Sequence, residues 1–119
     1  MKLFSKLDSV LVRVRDLPSS RDWYLQKLGF EAGFESDELA VLKTSGEATL
    51  TLWRLEPGES LPPPESAGTF PMFFPEDFEV ARNALLGAGV EVGPVETDGK
   101  ARWFSLWDPD GNRIDVCRY

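Results

Sequence analysis

The same order of predicted elements occurs twice along this chain, and that repeat limits the possible folds more than any other feature. The segment Gly29-Phe30-Glu31-Ala32-Gly33 recurs as Gly89-Val90-Glu91-Val92-Gly93. Each copy follows a predicted helix, and each helix follows a predicted strand. A five-residue similarity is weak by itself, but the shared order of elements favours duplication over coincidence. We therefore predict two related halves, each with the order strand, helix and three strands.

Hydrophobic periodicity defines the elements of these halves. Valines at 10, 12 and 14 alternate along Asp8–Arg15, which is typical of a strand. A helix then begins near Pro18, since proline suits a first turn, and ends at Gly29. The second helix begins at Glu76-Asp77 and ends at Gly89. The other predicted strands are Phe30–Glu35, Leu39–Lys43, Ala48–Leu55, Thr69–Phe74, Val90–Val95, Ala101–Trp107 and Asn112–Arg118.

A proline-rich polar segment separates the halves. Residues 56–68 have no hydrophobic period, so we predict a linker there. The chain of 119 residues suits one domain. We expect a single domain over 1–119, with module one at about 7–55 and module two at 69–119.

Charge and cysteine content exclude several classes of protein. The net charge of −7 disfavours nucleic acid and anionic membranes as partners. A single cysteine, Cys117, allows no intrachain disulfide. No signal peptide or membrane-spanning stretch is visible, so we expect a cytoplasmic protein.

The chain contains no histidine. Zinc and non-haem iron sites depend heavily on imidazole and thiolate ligands. With one cysteine and no histidine, an ordinary site for either metal is not expected, and we predict no metal and no cofactor.

Three segments resemble the vicinal oxygen chelate superfamily, which includes glyoxalase I, extradiol dioxygenases, and the fosfomycin- and bleomycin-resistance proteins. They are Val12–Phe30, with its Trp23-Tyr24 pair and Leu28-Gly29-Phe30 end, the helix Asp77–Gly89, and the hairpin Phe104–Val116 with Asp108-Pro109-Asp110-Gly111-Asn112. The resemblance implies an α+β fold of two βαβββ modules, whose curled mixed sheets surround a cleft with helices on the outer faces.

Enzymes of this superfamily hold a divalent metal with one ligand from each of four strands. The corresponding positions here are Ser9, Thr51, Phe70 and Asp115. One carboxylate, two hydroxyls and a phenyl ring make a poor divalent site. The metal chemistry that the resemblance implies is therefore not expected to transfer to this chain.

Strand alternation predicts which side chains face the cleft. Three of the four tryptophans fall on this face, which suggests stacking on a planar or cationic ligand. Asp115 could anchor a cation or pair with Arg13 or Arg113. The tryptophans could equally pack in a core or a dimer interface. The predicted ligand-binding residues are Ser9, Arg13, Thr51, Trp53, Phe70, Met72, Trp103, Trp107 and Asp115.

These observations leave several functions open. The first is a metal-independent small-molecule binder of the bleomycin-resistance type, which sequesters a planar or cationic ligand. The second is a metal-independent lyase or isomerase with Asp115 as acid or base. The third is a degenerate member acting as an interaction domain. The fourth is a metalloenzyme with carboxylates contributed across a dimer. The resemblance also implies a homodimer.

Overall fold

The computed structural model describes residues 1–66 and 68–119; Ala67, part of the predicted linker, lies outside the described residues. The chain divides into two compact units, Met1–Ser60 and Leu61–Tyr119. The division falls within the segment predicted as a linker. Among the described residues, no helix has both the length and the apolar character that a membrane crossing requires.

The first unit contains one helix and a four-stranded mixed sheet. Its elements are β1 (Ser9–Val14), α1 (Leu17–Leu28), β2 (Glu31–Glu35), β3 (Leu39–Lys43) and β4 (Thr49–Arg54). The strand order is β1-β4-β3-β2. β1 runs parallel to β4, whereas the other neighbouring strands are antiparallel.

The second unit repeats this plan with shorter strands. A 3-10 turn at Pro64–Ser66 precedes β5 (Met72–Phe73), α2 (Phe78–Gly87), β6 (Glu91–Val92), β7 (Glu96–Thr97), β8 (Arg102–Trp107) and β9 (Arg113–Arg118). The order is β5-β9-β8-β6, and β7 also pairs with β8. β5 is parallel to β9, as β1 is to β4.

Local chemistry starts both helices in the same way. The Asp16 side chain accepts a hydrogen bond from the Ser19 backbone N–H, and Asp77 accepts one from Val80. Each aspartate thereby satisfies a backbone donor that the first helical turn leaves free. α1 ends at Gly29 in the left-handed conformation, with φ of 75°.

The core of each unit lies between its helix and one face of its sheet. Of the alternating valines on β1, Val12 and Val14 are buried and Val10 is half-buried. In the second unit the Phe78 ring of α2 meets Phe104 of β8 edge to face, with ring centroids 5.2 Å apart. Tyr24 of α1 is fully buried in the first unit. The buried apolar strand residues are Val12, Val14, Ala40, Leu42, Leu50, Leu52, Phe104, Leu106, Ile114 and Val116.

Two predicted strands are shorter in the structure. The strand expected at Thr69–Phe74 is limited to Met72–Phe73, and the one expected at Val90–Val95 is limited to β6, Glu91–Val92. The further strand β7, Glu96–Thr97, was not predicted. Pro71 and Pro75 flank β5, and Pro94 lies between β6 and β7. Proline has no N–H to donate to a strand ladder, so pairing beside these residues is limited, although the Pro71 carbonyl still accepts from the Asp115 N–H at 3.0 Å. The α+β class, with two mixed sheets and two helices, is confirmed.

Candidate ligand-binding site

One face of the second sheet gathers most of its polar and aromatic strand residues. The β8–β9 register places Trp103 opposite Cys117, Ser105 opposite Asp115, and Trp107 opposite Arg113. Met72 of β5 is the register partner of Asp115 on the other side. Side chains two residues apart in a strand share a face. These residues therefore lie on the face of the sheet that is turned away from Phe104, Leu106 and the rest of the core. We call this surface the polar-aromatic face of the second sheet.

An ion pair lies at the centre of the polar-aromatic face. The Arg113 Nε donates to Asp115 Oδ1 at 2.9 Å, and Nη2 donates to Oδ2 at 3.0 Å. The Ser105 hydroxyl donates to the same Oδ1 at 2.7 Å. Asp115 is buried, with 2% of its side chain exposed. The hydrogen bond from Arg113 to Asp115 raises the pKa of the guanidinium, although burial opposes the shift.

The Phe70 ring contacts the guanidinium group of this ion pair. The guanidinium carbon of Arg113 sits 4.0 Å from the Phe70 ring centroid, which is a close cation–π contact. Phe70 precedes β5 rather than belonging to it, so its predicted place on a strand was wrong. The arginine is therefore held by two hydrogen bonds to the carboxylate and by its contact with the phenyl ring.

A pocket of about 330 Å³ opens beside Arg113, within the second unit. It is lined by Pro64, Glu65, Glu91, Trp107, Gly111 and Arg113. Within residues 1–66 and 68–119, neither Glu65 nor Glu91 makes an ion pair or a side-chain hydrogen bond. One aromatic and three charged side chains thus share one concave surface.

The turn between β8 and β9 shapes the edge of this pocket. Asp108 Oδ1 accepts from the backbone N–H groups of Asp110 at 2.9 Å and Asn112 at 2.8 Å, and Oδ2 accepts from the Asn112 amide at 2.9 Å. Gly111 has φ of 83°, a conformation that favours glycine. A Cβ at Gly111 would lie 2.7 Å from Pro64 Cγ, so the glycine also permits the 3-10 turn to pack closely on the hairpin.

Four of the predicted site residues belong to the first unit. The Ser9 and Thr51 hydroxyls hydrogen-bond to each other at 2.7 Å on adjacent strands. Arg13 and Trp53 are register partners on β1 and β4. The Arg13 Nη2 donates to Glu59 Oε1 at 2.6 Å and to the Arg54 carbonyl at 3.1 Å. Arg13 is thus engaged with Glu59 of its own unit.

Trp103 and Met72 lie on the polar-aromatic face but outside the pocket lining. Trp103 Nε1 donates to Glu96 Oε2 at 3.0 Å, which orients its indole toward β7. Met72 is 57% exposed at the sheet edge. The structure therefore brings Phe70, Met72, Trp103, Trp107 and Asp115 onto one surface, of which Trp107 lines the pocket.

The four positions that correspond to metal ligands in the superfamily do not fit a divalent ion. Ser9 and Thr51 are hydrogen-bonded to each other, Phe70 offers no lone pair, and both oxygens of Asp115 accept hydrogen bonds. Across the part of the chain that the structure describes, no three His, Cys, Asp or Glu side chains come together as a ligand set.

Sequence reasoning missed Glu65 and Glu91. Glu65 lies in the segment treated as a linker, whereas Glu91 is the register partner of Trp107 on β6. The alternation of Glu91 with Val92 was a usable signal, because it places Glu91 on the Trp107 side of the sheet. Nothing in the proline-rich segment indicated that Glu65 would line the same pocket as Glu91 and Trp107.

Comparisons with solved structures show the same architecture. An integron cassette protein from the mobile metagenome of the Halifax Harbour sewage outfall is 25% identical, with a TM-score of 0.81 over 98% of this chain and 100% of that one. TnmS3, an antibiotic binding protein from Streptomyces sp. CB03234, is 21% identical, with a TM-score of 0.79 over 98% and 97%. A glyoxalase family protein from Enterococcus faecalis is 21% identical, with a TM-score of 0.79 over 98% and 100%.

The sequence also matches a family model over almost its whole length. The model describes the Glyoxalase/Bleomycin resistance protein/Dioxygenase superfamily and matches residues 6–116. The two α+β units and this match lead to the same assignment, and the chain belongs to the Glyoxalase/Bleomycin resistance protein/Dioxygenase superfamily.

Proposed function

We propose that this protein binds a planar or cationic small molecule without a metal ion, and that it acts by sequestering that ligand. The observation that carries the proposal is the pocket of about 330 Å³, in which the Trp107 indole lies beside charged groups. An aromatic face contributes about 0.5–2 kcal/mol to binding a cation. Sequestration requires only affinity, so a pocket without reactive groups is sufficient.

The state of Asp115 favours binding over catalysis. An acid or base must reach the proton that it transfers. Both oxygens of Asp115 accept hydrogen bonds from Arg113 or Ser105, and the side chain is 2% exposed. This arrangement supports a structural role for Asp115. It disfavours the alternative of a metal-independent lyase or isomerase.

A protein of similar fold supports this proposal by analogy. TnmS3 is described as an antibiotic binding protein, and its fold matches over nearly the whole chain. Function depends on the site rather than on the fold. The analogy therefore suggests which ligands to test first, and the pocket around Trp107 supplies the physical argument.

Intrinsic tryptophan fluorescence tests the proposal. The wild-type protein is titrated with planar cationic compounds, including bleomycin-type drugs, with and without added divalent metal. We expect saturable quenching without metal, and its loss in Trp107→Ala. Trp23→Phe serves as the control, because Trp23 packs edge to face on Tyr24 in the first unit. Binding that requires the metal, or that survives Trp107→Ala unchanged, would contradict the proposal.

A second candidate is a protein-interaction role, favoured by an exposed apolar patch. Met72, Phe74 and Tyr119 are 57%, 60% and 83% exposed, and the Phe74 and Tyr119 rings meet at 5.2 Å. Isolated exposed apolar residues are normal, but neighbouring ones suggest a contact surface. We also propose a homodimer by analogy with the superfamily. Sedimentation equilibrium of the wild type and of Phe74→Ser measures whether this patch supports self-association.

A further inference from the structure

We propose that Glu65 and Glu91 bind the positively charged group of the ligand, so that the pocket selects an organic cation over a neutral molecule of the same shape. This inference rests on the proposed function and assigns its charge recognition to two residues outside the predicted site. It also makes the 3-10 turn Pro64–Ser66 part of the binding site rather than a spacer.

Glu91 is positioned by strand pairing. It is the register partner of Trp107 across β6 and β8. Side chains of paired residues stand on the same face, with Cβ atoms about 4.5–5.5 Å apart. The Glu91 carboxylate therefore lies beside the Trp107 indole, and both line the pocket. A carboxylate next to an aromatic face is a combination that stabilises an organic cation.

Glu65 is positioned by the contact between the 3-10 turn and the hairpin. Pro64 packs against Gly111 so closely that a Cβ there would lie 2.7 Å from Pro64 Cγ. This contact holds the turn at the edge of the pocket, and Glu65 lines the pocket next to Pro64. A second carboxylate is thereby added to the same concave surface.

The positive charge of Arg113 does not cancel these two carboxylates. Its guanidinium makes two hydrogen bonds with Asp115, at 2.9 and 3.0 Å, and stacks on Phe70. The Arg113–Asp115 pair is neutral as a unit. Within the described residues, Glu65 and Glu91 have no cationic partner, so the pocket carries two uncompensated negative charges.

The test compares two probes of the same three-ring shape, the permanent cation N-methylacridinium and the neutral acridone. Dissociation constants are measured by fluorescence titration for the wild type, Glu65→Gln, Glu91→Gln and the double variant. Glu76→Gln is the matched control, because Glu76 is exposed, belongs to the same unit and lies outside the pocket lining. All the substituted side chains are exposed, and urea unfolding checks that the variants remain folded.

We expect the wild type to prefer N-methylacridinium. Each single substitution should weaken cation binding by about two- to fivefold, the range of one exposed charge pair, and the double variant by roughly tenfold. Acridone affinity should not change, and Glu76→Gln should resemble the wild type. Added salt should weaken cation binding to the wild type more than to the double variant.

The outcomes separate this inference from the proposed function. Equal affinity for the two probes, or cation binding that the double substitution leaves unchanged, would overturn the role of Glu65 and Glu91 while leaving small-molecule binding intact. If the wild type binds neither probe, the proposed function fails for planar ligands, and the inference fails with it.

Discussion

Arg113 and Asp115 lie two residues apart on one strand, β9, and their side chains close a doubly hydrogen-bonded ion pair on the same face of the sheet. The carboxylate is 2% exposed, whereas the arginine side chain is 32% exposed. The pair neutralises a buried charge within a single strand. Arg113 thereby lines the neighbouring pocket with its charge balanced by Asp115.

Removing the carboxylate should destabilise the protein. In Asp115→Ala, Arg113 loses its partner and Ser105 loses its acceptor. We expect a loss of about 2 kcal/mol in the free energy of unfolding, below the 3–5 kcal/mol typical of a fully buried pair, because the arginine is partly hydrated. Urea denaturation measures the change. Ser105→Ala is the control and should cost only about 1 kcal/mol. An unchanged urea midpoint for Asp115→Ala would show that the pair contributes no net stability.

The hairpin should depend on the side chain of Asp108. This buried carboxylate accepts three hydrogen bonds within the turn. Asp108→Ala leaves those donors without their acceptor, so we expect a loss of about 2–3 kcal/mol in unfolding free energy. Thermal and urea unfolding measure it. Glu76→Ala, an exposed acidic residue in the same unit, should stay within about 0.5 kcal/mol of the wild type. Similar effects of the two substitutions would contradict this account of the turn.

A methyl group at Gly111 should disturb the 3-10 turn as well as the hairpin. Gly99→Ala is the matched control, because Gly99 has a similar φ of 93° but nothing within 4 Å of the added Cβ. Both substitutions carry the backbone strain, about 1 kcal/mol or more. Only Gly111→Ala also meets Pro64. We expect it to be the more destabilising of the two in urea unfolding, and to weaken binding of N-methylacridinium.

The double variant Gly111→Ala/Pro64→Ala tests the contact directly. Removing the proline ring should recover part of the stability that Gly111→Ala loses, whereas Pro64→Ala should give no recovery when combined with Gly99→Ala. A double-mutant cycle without coupling between positions 64 and 111 would contradict the close packing of the turn on the hairpin.

The Cys117 thiol should react slowly with alkylating agents near neutral pH. Burial, and then the negative charge of Asp115, raise the pKa of this thiol, so little thiolate is present. The rate of iodoacetamide labelling as a function of pH, followed by mass spectrometry, gives the apparent pKa. Asp115→Asn should lower that value. An unchanged profile in Asp115→Asn would show that the carboxylate does not act on the thiol.

The raised pKa of the Cys117 thiol also makes the stability of the protein depend on pH. Because the pKa is raised in the folded state, the thiol of the unfolded chain ionises first as the pH rises. The contribution of Cys117 to the free energy of unfolding is therefore fully present below the ordinary thiol pKa, about 8.5. It is lost as the pH rises through the higher pKa of the thiol in the folded protein. Urea midpoints between pH 7 and 10 should fall more for the wild type than for Cys117→Ser. Parallel curves would contradict this linkage.

Local patterns were enough to predict most of the fold. Alternation along Val12 and Val14, or along Phe104 and Leu106, specifies which face of a strand is buried, because the side-chain period of a strand is two. The same rule placed Trp107 and Asp115 on the opposite face. It failed for the length of β5 and for Val90–Val95, where prolines interrupt the pairing. Those prolines were visible, but how far pairing continues beside a proline depends on the neighbouring strand.

The sequence by itself determined the two-part α+β plan, the places of the two helices, and the aromatic character of one sheet face, since each depends on residues close together in the chain. Only the tertiary structure decided that Asp115 pairs with Arg113 while Arg13 turns to Glu59. It also decided that Glu65, Glu91 and Trp107 line the same pocket. Alternation along β9 allows the Arg113–Asp115 pair, which the sequence had left as one of two alternatives. The Arg13–Glu59 pair and the pocket at Trp107 join segments far apart in sequence, and no local period predicts which residues they bring together.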